Sequence, residues 1–516
     1  MKKILLISLV LVLLVAAAVG GYFGYEAYSL SKIPDPALFM EELMDQQLQS
    51  LPMKDAKTEN GKALSALIGS SINYEFNEPV LWEKRRASQT VTVVVPDLSE
   101  MGNGLEEKAQ EVLKVAVEQA KFASDVYDEG KNYRQEWLEL AANEAFKTSL
   151  ESVKTKQTEV TLQLNYTDDR WQLLNGAEVQ AALGVSKLDP DAVAAEICAA
   201  AVENPEYVRK IYTIDESAKA GPEPDRSKFG STTDPAVIEE LIATELSQTL
   251  INGQELVWNR DIDFIPGTQI YYYLDESILT IVWQEEEAMA VGTFSETFIA
   301  DGSQLRRKIA ADQFESFEHE VATVLAQQSN AVLAVGGDLY HHARNCGIVV
   351  YEREIYRFDP VTCDTCYITA GGDMLFSYRN QFSDISEAEQ FVEENNVLFS
   401  LCFGPVLIDN GVDVTPDSYP WGEINDTYAR SALGLMGDKH YLTVNINCQQ
   451  PDYYYLATLR QAADAMVARG CIKAYALDGG QTASTIINNQ LINPVQFGWE
   501  RQTSDILYFA SAVPNQ

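Results

Sequence analysis

The sequence predicts an α+β protein: an N-terminal transmembrane helix, a small domain of helices with an antiparallel sheet, and a C-terminal mixed α/β domain. Three observations lead there. The chain opens on an apolar run of membrane-spanning length. Two alternating segments, Gln89–Val95 and Glu159–Tyr166, stand among helical periodicities. The C-terminal half alternates helices with short apolar strands. The 516 residues suffice for several domains. They are placed at 1–28 (signal anchor), 29–188 (α+β domain), 189–255 (helical segment and linker) and 256–516 (C-terminal domain).

Lys2 and Lys3 precede the apolar run, which starts at Ile4, is nearly unbroken to Val19 and continues to Tyr25. A bilayer core takes about 20 apolar helical residues. The leading lysines should stay cytoplasmic, which leaves the bulk of the chain outside a single-pass membrane anchor. A cleaved signal peptide fits the same run, because Ala16-Ala17-Ala18 offers small residues to a peptidase, and the protein would then be secreted. No Cys follows the run, which argues against a lipoprotein anchor.

Ser29–Pro36 reads as a stalk and Ala37–Leu51 as a helix. Leu105–Tyr127 carries apolar residues at helical spacing, and Ala141–Val153 is a further helix. Thr167-Asp168-Asp169 turns the second alternating segment into Arg170–Leu174, a hairpin signal. Helices followed by a curled antiparallel meander give this domain a cystatin-like appearance. Asp189–Val202 is helical up to the stop at Pro205. Ala218–Asp234, rich in Pro, Gly, Ser and Thr, is a linker, and Pro235–Leu250 is helical again.

In the C-terminal half, Gln304–Gln327 fits a helix through Leu305, Ile309, Phe314, Phe317, Val321, Val324 and Leu325. Ala331–Val335 is a strand ending at Gly336-Gly337-Asp338, and Gly347–Val350 with Tyr356–Phe358 form a hairpin. Thr458–Arg469 is the best-formed helix: Thr458 caps it, Leu459, Ala462, Ala463, Met466 and Val467 share a face, and Gly470 suits a left-handed end. Cys471–Leu477 then runs as a strand into Asp478-Gly479-Gly480.

With 38 Lys+Arg against 76 Asp+Glu, the net charge of −38 sets nucleic acid aside as a partner. Seven Cys leave an odd thiol, and Cys363-x-x-Cys366 lacks a second pair or a nearby His to complete a zinc site. No cofactor is indicated, and a divalent cation such as calcium is not called for by any motif.

Two helix-to-strand units end alike, at Asp338 after paired glycines and at Asp478 before them. Glycines at a strand end let backbone N–H groups approach an anion, and an acid beside such a turn can serve as acid, base or nucleophile. Asp-Gly is also a favoured hairpin turn. Arg430 and Arg501 frame the last segment, with the planar fork that suits phosphate. His341 and His342 follow Asp338 closely, and the Tyr271–Tyr273 and Tyr453–Tyr455 triplets suit either sugar stacking or sheet packing.

The order Gly-Gly-Asp-x-Tyr, Arg344-x-x-Gly347, Phe403-Gly404-Pro405-x-Leu407, Arg430-x-Ala432-x-Gly434, Leu477-Asp478-Gly479-Gly480 and Arg501…Ser504-Asp505 resembles the phosphodiester glycosidase domain, over roughly residues 270 to 513. That family includes a lysosomal enzyme and many bacterial proteins linked to exopolysaccharide. The resemblance implies a hydrolase that cleaves the sugar from a sugar-1-phosphodiester, or a polysaccharide built that way, in envelope or exopolysaccharide metabolism. It implies Asp338 and Asp478 as catalytic, with Arg344, Arg430, Gly479, Gly480, Gln481, Thr482, Ser484 and Arg501 holding substrate or phosphate. The sequence departs from the family at Gly336, Asn447, Gln449 and Ala476, where amides and charges are usual. A degenerate member that binds carbohydrate or an envelope partner is therefore the alternative expectation.

Overall fold

The computed structural model describes residues 2–51, 53–184, 188–242, 262–287, 290–312, 318–338, 347–420, 426–447 and 457–515. Two compact units emerge, Met1–Val208 and Arg209–Gln516.

The first unit starts with α1 (Lys2–Leu30), which contains a segment, Val10–Leu30, long and apolar enough to cross a membrane. After it come α2 (Ala37–Gln49) and α3 (Glu59–Ser71), the latter capped by the Thr58 hydroxyl. Next are β1 (Asn73–Phe76), β2 (Leu81–Glu83) and β3 (Arg86–Pro96), then α4 (Leu105–Gln119) and α5 (Gln135–Glu151). The unit closes with β4 (Thr155–Thr167), β5 (Arg170–Leu173), α6 (Gly176–Ala182) and α7 (Pro190–Ala201). The sheet runs β1-β3-β4-β5, with β2 also paired to β3. The long β3–β4 pairing extends from Arg86↔Asn165 to Pro96↔Thr155. Alternation turns Val91, Val93 and Val95 toward Met40, Leu64 and Phe146, which is why the period of two in the sequence reads through to the core.

Two large sheets dominate the second unit, beside smaller ones of two and three strands. A nine-stranded sheet runs in the order Val412–Asp413, Val406–Asp409, Lys473–Leu477, Arg430–Gly437, His440–Asn447, Ala290–Ile299, Ile278–Glu287, Ile270–Leu274 and Phe229–Thr232. A five-stranded sheet runs Leu305–Ile309, Asp505–Phe509, Leu333–Gly336, Thr485–Ile487 and Gln490–Leu491. Leu433, Tyr441 and Tyr475 of the first share a core with Leu305, Leu333, Val335 and Leu507 of the second. Their strand neighbours Ala432, Leu442, Ala474 and Ala476 belong to another core, with helix Leu459–Ala468. The Tyr271–Tyr273 triplet lies in the nine-stranded sheet, where Tyr273 is fully buried in the shared core and Tyr271 packs against it.

The hairpin of Gly347–Tyr351 with Glu354–Asp359 forms as the sequence predicts. Helix Leu459–Ala468 has a full capping box. The Thr458 hydroxyl accepts from the Gln461 N–H, and the Gln461 side chain accepts from the Thr458 N–H. Gly470 closes its end at φ 88°. Thr458→Ala should cost about 1 kcal/mol in chemical denaturation, and an unchanged midpoint would show that the cap contributes nothing.

The linker expected at Ala218–Asp234 contains strand Phe229–Thr232, which pairs with Ile270–Leu274 at the edge of the nine-stranded sheet. A predicted helix is corrected as well. Gln304–Gln327 is not one helix: Leu305–Ile309 is a strand paired with Asp505–Phe509, and among the described residues the α-helical part is Ala322–Gln328. Leu305 and Ile309 are four residues apart, a spacing that fits one helical turn and also one face of a strand. Pairing with the C-terminal strand decides between them.

Candidate active site

The ends of three strands place the two glycine-flanked acids together. Strand Leu333–Gly336 delivers Gly337 and Asp338, strand Lys473–Leu477 delivers Asp478, and Ser504-Asp505 lead into the last strand. The backbone contacts are close. The Asp478 N–H donates to the Gly337 carbonyl at 3.1 Å, and the Gly337 N–H donates to the Asp505 carbonyl at 3.3 Å. A side chain on Gly336 would meet the Thr482 carbonyl at 2.2 Å, and one on Gly337 would meet the Asp505 carboxylate at 2.4 Å. Glycine is required here for close approach of one backbone to another.

The two acids lie in different surroundings. Asp338 is sealed, with 1% of its surface exposed. One of its oxygens accepts from the Cys402 N–H at 2.7 Å and lies 3.2 Å from Arg307 Nη2. Arg307 also donates through Nε to Asp505 at 2.5 Å, and the Asp338 N–H donates to the other Asp505 oxygen at 2.8 Å. All three side chains are buried, so two carboxylates share one guanidinium. Burial pushes the Asp505 carboxyl up, the Asp338 charge pushes the same way, and Arg307 opposes.

Asp478 is only half-buried. Thr482 Oγ1 donates to it at 2.9 Å. Burial raises its carboxyl to about 6, with the Asp338 charge adding to the rise, while the Thr482 hydroxyl and the Arg501 guanidinium pull down. The Asp478 carboxyl therefore changes protonation near pH 6, within the range that general acids and bases use.

The turn after Asp478 is held from below. The Gly480 N–H donates to the Ala429 carbonyl at 2.7 Å. Buried amides grip the segment that follows. Asn445 Nδ2 donates to the Ser484 carbonyl at 3.0 Å, and Asn447 and Asn493 donate to the Ala483 carbonyl at 3.2 and 2.8 Å. Asn493 also donates to Asn447 Oδ1 at 3.0 Å. At a position where the family resemblance implies a charge, Asn447 thus has a structural task. Ala476 is buried in its strand, and its N–H donates to the Pro405 carbonyl at 3.1 Å.

Gly479 packs against the Ala429 carbonyl, where a side chain would come within 2.3 Å. Gln481 donates to the Trp499 carbonyl at 2.9 Å, and Ser484 is buried with its hydroxyl on the Thr482 carbonyl at 3.2 Å. Arg501 is exposed and acts electrostatically on Asp478. Arg430 lies beside the same turn, but its guanidinium donates to the Ala457 and Asp426 carbonyls at 3.0 and 2.6 Å and stacks over Tyr428. Arg344, His341, His342, Gln449 and Tyr453–Tyr455 lie outside the described residues. Cys366 is a buried free thiol, so the Cys363-x-x-Cys366 pair does not close on itself. Among the described residues no three His, Cys, Asp or Glu side chains gather to hold a metal.

Sequence reasoning missed Arg307 and Asp505 as members of this cluster. A signal existed: in Leu305–Ile309 the period-two face reads Leu305, Arg307, Ile309, which puts a cation where a core residue belongs. A cavity of about 260 Å³ lies on another side of Arg307, lined by Arg306, Tyr351, Phe399 and Tyr508 among others, and Asp478 is not part of its wall.

The phosphodiester glycosidase family model matches residues 329–510, which include Asp338, Asp478, Arg501 and Asp505. A prophage-derived uncharacterized protein of Bacillus subtilis is 26% identical over 108 residues, which is 21% of this chain and 17% of that protein. The chain thus spans about a sixth of the length of that curated relative. Among solved structures, the catalytic domain of zebrafish N-acetylglucosamine-1-phosphodiester alpha-N-acetylglucosaminidase, auto-inhibited by its pro-peptide, aligns with a TM-score of 0.38 at 16% identity. That alignment covers 46% of this chain and 84% of that one. A hypothetical protein from Synechocystis aligns at 0.33 and 13% identity, covering 45% of this chain and 62% of that one. A putative exported protein from Burkholderia pseudomallei aligns at 0.31 and 12% identity, covering 43% and 74%.

Proposed function

We infer, from a region that matches the phosphodiester glycosidase family model and carries Asp478 at a strand end, that the protein hydrolyses glycosyl phosphodiesters. The bond cleaved is the glycosidic bond of a sugar-1-phosphodiester. The enzyme is anchored by α1 with its bulk outside the cytoplasm, and it acts in envelope or exopolysaccharide metabolism. The observation that carries this reading is the half-buried Asp478 carboxyl, raised to about 6 beside Arg501.

The chemistry follows from the charges that develop. As the bond from the anomeric carbon to the phosphate oxygen breaks, positive charge grows on the sugar and negative charge on the departing phosphomonoester. Asp478 faces the sugar as base or nucleophile: it takes a proton from water, or it bonds to the anomeric carbon before water releases the sugar. Arg501 faces the phosphate. Phosphate leaves readily, so no strong proton donor is required. Arg430, Asp338 and Asp505 act on the cleft from behind, by fixing the strand ends. One water is consumed, and a free sugar and a phosphomonoester are produced.

A second reading, a member that binds carbohydrate without cleaving it, is favoured by the sealing of Asp338, which leaves Asp478 as the accessible one of the two acids. The test is a panel of sugar-1-phosphodiesters incubated with the full chain, with free sugar and phosphomonoester both quantified. At least one substrate should release the two in equal amounts. No release across the panel, with sugar binding still measurable by calorimetry, would replace the first reading with the second.

A further inference from the structure

We propose that the β2–β3 hairpin of the first unit is a second membrane contact, one that binds anionic phospholipid headgroups next to the emerging end of α1. The inference rests on reading α1 as a membrane span, and goes beyond it by assigning a surface that reads the lipid.

The hairpin carries the run Leu81-Trp82-Glu83-Lys84-Arg85-Arg86, and every residue of it is exposed. Leu81 has 68% and Trp82 45% of its surface exposed, large values for apolar side chains on one turn. Lys84, Arg85 and Arg86 follow without interruption in a chain of net charge −38. Among the described residues these three side chains form no ion pair, and Glu83 is the one acid in the run. By contrast, Arg307, Arg353 and Arg469 all bind carboxylates.

The hairpin is also fixed where a bilayer surface would be. Trp171 Nε1 donates to the carbonyl of Pro34, just past the end of α1, at 2.9 Å. The Trp171 ring meets Trp82 edge-on at 6.3 Å, and Trp82 Nε1 donates to the Lys84 carbonyl at 2.8 Å. A cavity lies between the two elements, with Tyr22, Tyr25 and Glu26 of α1 and Glu83, Lys84, Arg85 and Arg86 of the hairpin in its wall, so three cations there outnumber two acids. On a span that starts with the apolar run at Ile4, Tyr22, Tyr25 and Tyr28 fall at the outer membrane–water interface, where aromatic side chains are enriched. The hairpin thus brings a tryptophan and three cations to headgroup depth.

Charge selects the lipid. A body this acidic is repelled by an anionic surface. A compact basic and aromatic patch beside the anchor reverses that repulsion locally, because Lys and Arg near the surface are drawn to anionic headgroups over a Debye length. The patch would hold the first unit against the bilayer in one orientation rather than leave it to swing on its stalk.

The test uses the full chain in nanodiscs containing brominated lipid, either all phosphatidylcholine or part phosphatidylglycerol. The Trp82 signal is the difference in fluorescence between wild type and Trp82→Phe. It should be quenched in the phosphatidylglycerol discs and much less in the neutral ones. Added salt, and the Lys84→Glu/Arg85→Glu/Arg86→Glu variant, should each restore it. Equal quenching in both lipids would overturn the electrostatic assignment. A chain that enters nanodiscs yet shows no Trp82 quenching would overturn the contact and leave the anchor standing. A chain that fails to enter nanodiscs at all would overturn the anchor and this inference with it.

Discussion

Asp478→Asn is expected to lower kcat/KM for sugar-1-phosphodiester hydrolysis by about 10²- to 10⁴-fold, the usual contribution of a positioned acid–base group. The amide keeps the shape of the carboxyl and can still accept from Thr482 Oγ1, so the turn should survive and the loss should be chemical. The pH profile gives a sharper readout. The working form is the carboxylate, and its carboxyl is raised from 3.8 to about 6. Activity in the wild type should therefore rise with pH through about 6 and level off near neutrality, and the variant should lose that limb. A profile that falls through the same window would show that the protonated acid is the working form, and would remove the base or nucleophile role from Asp478. The same shift has a consequence for stability. The folded protein holds this proton to a higher pH than the unfolded chain does. Stability from the protonated form is full at low pH and declines as pH rises from about 3.8 toward 6.

Arg307→Met is expected to destabilise the second unit by about 3–5 kcal/mol, because it strands Asp338 and Asp505 in the interior without their shared cation. Chemical denaturation of the full chain should show the change in the transition of that unit. The deficit should narrow as pH falls. Burial already raises the Asp505 carboxyl, and losing the guanidinium raises it further, so protonation at lower pH removes the unpaired charge. A deficit below about 1 kcal/mol, or one independent of pH, would mean that the cluster is not held by charge. Activity should suffer as well, since Asp505 takes the N–H of Asp338 and the Gly337 carbonyl takes the N–H of Asp478.

These two variants separate roles that look alike in the sequence. Asp338 and Asp478 both end a strand beside paired glycines, and nothing in their flanks tells which one meets the substrate. Burial does. Asp338 is closed in by Cys402, Arg307 and Asp505, while Asp478 keeps part of its surface exposed and feels the charge of Arg501. The arginines divide in the same way. Arg430 is taken up by two backbone carbonyls, whereas Arg501 remains exposed.

The sequence by itself determined what depends on neighbours along the chain. The apolar run of α1, the alternation of β3 and β4, the capped helix after Thr458 and the glycine turns at both acids were all legible, because periodicity and turn chemistry act over a few residues. Only the tertiary structure decided which acid is accessible and what holds the other. Arg307 and Asp505 lie 198 residues apart and meet through strand pairing, and the helix expected around Arg307 became a strand for the same reason. Burial and electrostatic surroundings are properties of space, and a chain that folds back on itself sets them at distances no local pattern records.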